Sequence, residues 1–157
     1  MVNPARKKSR DTVPSYMQVV LGKTRLLFPG TEVLSLEAIP AIGTPHASGS
    51  IGCVSLNKTS LAVYNFDEQL HPHSEIPEGR HACICLGDNE RAFALLCDKV
   101  EVVEDAELQI VELPACMRSA TTPVQFLALQ GTRILCVSCV KQFAGIFDLS
   151  RSNEAGP

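Results

Sequence analysis

GCVSLNKTSLAVYNF, residues Gly52 to Phe66, is the stretch whose pattern settles the kind of fold this chain adopts. Val54 and Leu56, then Leu61 and Val63, alternate with small or polar residues on either side of Asn57-Lys58-Thr59. A period of two broken by a turn predicts a β-hairpin with one face buried and the other available. The alternation comes without a cluster of reactive side chains, so the segment reads as a docking hairpin and not as a catalytic loop.

The same pattern recurs outward from this hairpin. Tyr16 to Leu21 and Arg25 to Phe28 read as strands around the turn-forming Gly22-Lys23, and Pro29-Gly30 separates them from a third segment, Val33 to Ile39. Pro40 to Ser50 is too rich in turn residues for regular structure, and a second loop runs from His71 to His81. Ala82 to Leu86, Gly87-Asp88-Asn89 and Arg91 to Cys97 then give another hairpin signal, which Val100 to Val103 extends. An acidic, proline-containing linker from Glu104 to Thr122 leads to a last strand pair, Val124 to Leu129 and Ile134 to Val140. The two halves read alike, and the spacing of Phe143, Ile146 and Phe147 predicts a short helix within Lys141 to Ser150. Strands at this spacing, without helices long enough for crossovers, argue for a small barrel or sandwich, a mainly β protein.

Composition narrows the function classes. With 157 residues the chain is about one domain, and 45% hydrophobic against 20% charged residues, with ten Gly, ten Pro and no Trp, suits short strands and an aliphatic core. A net charge of −3 leaves no overall electrostatic footprint for nucleic acid or an anionic membrane. Positive charge is concentrated in Arg6-Lys7-Lys8-Ser9-Arg10, predicted to be a mobile, solvated arm. The organisation expected is a basic tail over 1–15, one domain over 16–149 and a C-terminal tail over 150–157. No apolar run approaches the ~18 residues that span a bilayer, so no direct membrane insertion is expected. Seven cysteines, an odd number scattered through apolar stretches, fit reduced, mostly buried thiols in a cytoplasmic protein.

Chemistry is sparse. His71, His73, His81, Cys83 and Cys85 are ligand types for zinc, but their spacing matches no zinc pattern, and Cys83 and Cys85 point to one inward face of a predicted strand. Cys136-Val137-Ser138-Cys139 has the C-x-x-C redox spacing, yet it falls within a predicted strand, where residues three apart face opposite ways. No nucleophile elbow or phosphate-binding glycine loop is present. Glu101, Glu104, Asp105 and Glu107 lack calcium-loop spacing and read as a solvated face. No catalytic residue, no cofactor and no metal site is expected.

Taken together, the hairpins resemble the CheW-like domain of bacterial chemotaxis over roughly Met17 to Phe143. Such sequences carry a glycine, two apolar residues and a small polar one, then Leu-Arg-Gly, three residues and Pro-Val-x-Asp-Leu; Gly52, Leu56 and Val63 match in register. The family's Gly-Leu-x-Val-Asp-x-Val is similar to Ala94 through Val100, with Leu95, Asp98 and Val100 retained. Upstream, Phe28-Pro29, Val33 and Leu36 match an apolar-Pro pair, a valine and an isoleucine, and Gly131 through Ser138 resembles the last strand pair.

The resemblance implies two small five-stranded SH3-like β-barrels forming one CheW-like domain with short helical segments. It implies a non-enzymatic adaptor between the cytoplasmic tip of a methyl-accepting chemoreceptor and the regulatory domain of a CheA-type histidine kinase, in flagellar chemotaxis or pilus-type surface motility. By the same resemblance Val33, Ser35, Leu36, Asn57 and Lys58 line the receptor-facing groove, and Gly52 and Asp98 join them as partner-binding positions. Several polar positions depart from the family: Asn57 and Lys58 stand for Arg-Gly, Ala62 for the proline, Asn65 for the aspartate, and Ser35 and Ser138 for acids. Two other readings follow, a divergent regulator or decoy that binds the kinase domain without the usual receptors, and a metal- or redox-sensing β-domain.

Overall fold

The apolar runs in the middle of this chain are longer than a half-exposed strand needs, and the computed structural model shows that both faces of those strands are covered. It describes residues 15–38, 50–119 and 122–145. The basic arm, nearly all of the loop at Pro40 to Ser50, the C-terminal tail and the second half of the helix predicted within Lys141 to Ser150 lie outside the described residues.

Among the described residues eleven strands form two curled sheets. One has five strands in the order β3 (Val33–Ala38), β6 (Ala82–Gly87), β7 (Ala92–Cys97), β5 (Thr59–Tyr64), β4 (Gly52–Leu56). The other has six, in the order β8 (Lys99–Glu104), β1 (Ser15–Leu21), β2 (Thr24–Pro29), β11 (Arg133–Val137), β10 (Phe126–Gln130), β9 (Gln109–Glu112). All pairings are antiparallel except one in each sheet, β5 with β7 and β11 with β2. The chain therefore does not divide into an N-terminal and a C-terminal barrel: β3 to β7 form one sheet, and the strands before and after them form the other. A helix begins at residue 140 and is described to residue 145.

Three cores follow from the alternation of side chains along the strands. Val54, Leu61, Val63, Cys83, Cys85, Ala94 and Leu96 fill the curl of the five-stranded sheet. Leu27, Val103, Ala128, Leu135 and Val137 fill the curl of the six-stranded one. Between the sheets lies a third, made from the opposite faces of the same strands: Leu26 and Phe28 from β2, Ile84 and Leu86 from β6, Phe93, Leu95 and Cys97 from β7. Both faces of β6 and β7 are thus buried, which is why their sequences are continuous apolar runs.

Phe143 of the helix is the hub of the central core. Its ring centroid lies 5.4 Å from Phe28, 5.3 Å from Phe66 and 6.4 Å from Phe93, so one side chain bridges both sheets. Truncating a phenylalanine so placed costs about 3–5 kcal/mol. Glu32, in the 3₁₀ turn Gly30–Glu32, accepts the Val140 N–H at 2.9 Å and so satisfies an otherwise orphaned donor at the start of that helix.

Three local expectations are corrected. Val100 to Val103 does not extend the preceding hairpin: the chain breaks at Asp98, and β8 pairs with β1 of the other sheet. The acidic linker contains a strand, β9, whose four residues pair with β10. The last strand ends at Val137, so Ser138 and Cys139 lie between strand and helix and the C-x-x-C segment is not contained in a strand. Two turns follow residue chemistry, with Gly22 (φ 62°) and Gly131 (φ 63°) taking the left-handed conformation that glycine adopts without a Cβ penalty.

Candidate functional site

The β4–β5 hairpin turns on Asn57 (φ 49°) and Lys58 (φ 69°), both left-handed. Two consecutive positive φ values are the geometry of a type I′ turn, whose twist matches that of the flanking strands. Asparagine tolerates this region, whereas Lys58 occupies it at a steric cost. Both tip residues are exposed, while Gly52 is buried opposite Val63 at the far end of the hairpin.

Val33, Ser35 and Leu36 lie on β3. Val33 is half-buried and packs against the central core. The register slips between Val33 and Ser35, and Leu34 and Leu36 are about half exposed, at 49% and 50%. The Leu34 Cδ1 methyl lies over Gly87, where a Cβ would meet it at 2.8 Å. The Ser35 hydroxyl donates to the Glu37 carboxylate. Sheet order puts β3 and β4 at opposite ends, so the expected partner-binding residues form two sets, one on each edge strand.

Asp98 belongs to neither set. It sits where the chain crosses from β7 to β8, and its carboxylate accepts the Gly22 N–H at 2.7 Å and Arg80 Nε at 2.8 Å. Its own N–H donates to Val20 O. Arg80, buried before β6, also donates from one terminal nitrogen to Asn65 Oδ1 at 2.6 Å and to Phe66 O at 2.7 Å. Asn65 Nδ2 in turn donates to His73 O and Glu75 O. An aspartate at 65 would set a carboxylate against those two carbonyls, so the amide is the group that completes this network. Glu68 accepts the Lys23 N–H and, through its carbonyl, the Thr24 hydroxyl, fixing the loop to the β1–β2 turn. This polar junction ties the loop over 65–81 to both sheets.

Sequence reading singled out Asp98 but not Arg80. The signal available in the sequence is an arginine just before one apolar strand and an aspartate at the end of the next.

The sulfur and imidazole groups are dispersed. His71, His73 and His81 are exposed on the loop, whereas Cys83 and Cys85 are fully buried within the five-stranded sheet. Among the described residues no group of three or more His, Cys, Asp or Glu side chains is arranged to hold a metal ion. The Cys83 thiol, hydrogen-bonded to Cys85 and desolvated, is held well above the ordinary thiol range. Burial pushes Cys97 up to about 12, and it also raises Cys136. Buried thiols of this kind are poor nucleophiles. An open cleft of about 290 Å³ lies beside β9 and β10, and its two charged lining residues, Glu112 and Arg118, face each other at 3.7 Å.

No protein-family model matches this chain, and no curated protein sequence does. Fifteen chains of solved structures match. One is the scaffolding protein TtCheW from Thermoanaerobacter tengcongensis, which superposes with a TM-score of 0.60 over 81% of this chain and 89% of that chain at 12% identity. The fold is CheW-like. With so few identities, what the two chains share is the arrangement of two curled sheets around a common core.

Proposed function

We propose that this protein is a non-enzymatic CheW-like adaptor that couples the cytoplasmic tip of a chemoreceptor to the regulatory domain of a CheA-type histidine kinase, in a chemotaxis or surface-motility pathway. The observation that carries this reading is the extent of the structural match, most of both chains, to a protein named as a scaffold. An adaptor needs surface, and the hairpin tip at Asn57-Lys58 and the half-exposed Leu34 and Leu36 supply it on two edges of one sheet. No described helix is long and apolar enough to cross a membrane.

A second reading is favoured by one feature. The tip holds Asn57-Lys58 with Lys58 in a left-handed conformation, where the resembled family has Arg-Gly. A regulator that keeps the kinase contact and has lost the receptor contact would show this change at the tip. Calorimetric titration against a receptor-tip helical hairpin and, separately, a kinase regulatory domain distinguishes the two. Binding of both supports the adaptor; kinase binding with no receptor binding at tens of micromolar, about −6 kcal/mol, supports the regulator; binding of neither removes both.

A further inference from the structure

Four strands end the two sheets, and three of them carry the usual protections of an unpaired edge. β3 is irregular between Val33 and Ser35 and carries Glu37. β8 reads Lys-Val-Glu-Val-Val-Glu, and β9 has only four residues and ends on Glu112. β4 is irregular only at its start, where Ile51 N–H also donates to the O of Val63, the partner of Gly52, at 2.8 Å, and its paired length carries no such device. Gly52–Leu56 contains no charge and no proline, and its register against β5 runs unbroken from Leu56 opposite Thr59 to Gly52 opposite Val63.

The two-residue turn fixes which backbone groups remain. Leu56, Val54 and Gly52 are the positions that exchange bonds with β5, so the N–H and C=O groups of Cys53 and Ser55 point away from the sheet. Among the described residues no strand pairs with that side of β4.

We propose that β4 is a self-association edge, on which a second copy of this chain pairs its own β4 antiparallel about a two-fold axis through Val54. In that register Cys53 of each copy faces Ser55 of the other. Each such pair exchanges two N–H to carbonyl bonds, and the outward groups of both strands are all satisfied. The edge is its own complement, because a neutral side chain meets a neutral side chain at every paired position. The nearest charges, the two Lys58 side chains, fall beyond opposite ends of the pairing, so they do not oppose each other. The contact is isologous and closes at two copies on this edge. It stands independently of the adaptor reading.

Sedimentation equilibrium of the full chain from micromolar to millimolar concentration tests this, with wild type, Ser55→Pro and Ser55→Lys side by side. Proline at 55 removes an outward donor without touching the β5 ladder, and lysine places a charge on the edge. Wild type is expected to form a concentration-dependent dimer, and both variants to associate at least ten-fold more weakly with unchanged circular dichroism. If the proline variant does not fold, the lysine variant carries the test. Amide hydrogen exchange at Cys53 and Ser55 is expected to be fast in the dilute monomer and slowed in the dimer. A wild type that stays monomeric throughout, a dimer indifferent to both substitutions, or protection of those two amides already in the dilute monomer overturns the proposal.

Discussion

Arg80 Nε donates to Asp98 Oδ1 at 2.8 Å from a side chain only 3% exposed, and through this pair the loop before β6 is joined to both sheets. Asp98 also receives Gly22 N–H from the β1–β2 turn, so one carboxylate links strands of different sheets. Replacing Arg80 with methionine keeps much of the apolar stem and takes the guanidinium from Asp98 Oδ1, Asn65 Oδ1 and Phe66 O, while Asp98 Oδ2 keeps the Gly22 N–H. Breaking a buried pair costs on the order of 3 to 5 kcal/mol, and because Asp98 is 27% exposed, water recovers part of it. The expected loss is about 3 kcal/mol in urea unfolding. A loss below about 1 kcal/mol, the scale of a surface pair, would mean that the junction does not hold the sheets together.

What was legible beforehand divides along physical lines. The β4–β5 hairpin could be read because its alternation and turn chemistry are local, and Asn57-Lys58 indeed carries the left-handed turn. β6 and β7 could be located, but their continuous apolar runs do not say which sheet lies on each side. β9 reads as linker because its four residues hold only two apolar side chains, the adjacent Ile110 and Val111, too short a stretch to show a period of two. The sheet switch at Asp98 cannot be read locally, since it depends on β8 finding β1 some eighty residues back, and the pairing of β11 with β2 is more distant still. Arg80 was missed for a similar reason: an arginine is taken as exposed until its partners, here at 65, 66 and 98, are known in space.

Lys58 is the residue at which hairpin stability and recognition separate. A non-glycine residue at φ 69° bears a left-handed penalty that glycine avoids. Lys58→Gly is expected to stabilise the fold by about 0.5–1 kcal/mol, read as a raised urea midpoint with unchanged slope. If Lys58 contacts a partner, the same variant binds that partner more weakly despite its greater stability. A destabilised variant would contradict the turn assignment.

On β3 the appropriate probe is Leu36 and not Val33. Val33 packs against the central core, so Val33→Asp is expected to destabilise the fold and would confound any binding result. Leu36 is 50% exposed, and Leu36→Glu changes the surface without opening the core. Under the adaptor reading, Leu36→Glu is expected to weaken binding of a receptor hairpin about ten-fold, roughly 1.4 kcal/mol, with the circular-dichroism spectrum retained. Equal affinity of wild type and variant by calorimetry would remove β3 from the docking surface.

Glu32 links β3 to the helix and makes a pH-dependent prediction. Burial raises its pKa, the Val140 N–H opposes that rise, and Asp88 adds to it. The folded state therefore holds the proton more tightly than the unfolded chain, which by linkage means that stability falls as pH rises from below the ordinary glutamate value through the raised one. Above the raised value the carboxylate ionises, and the folded state then bears a desolvation cost that the unfolded chain does not, although the carboxylate still accepts the Val140 N–H. Glu32→Gln keeps an oxygen to accept Val140 N–H and removes the charge. The variant is expected to match wild type in acid and to become the more stable of the two between acid and neutral pH. Urea unfolding of both proteins across that range checks it, and Glu32→Ala, which loses the cap, is expected to be less stable than Glu32→Gln at every pH. A Gln variant that loses ground to wild type as pH rises would show that the ionised carboxylate is the favoured partner of the helix.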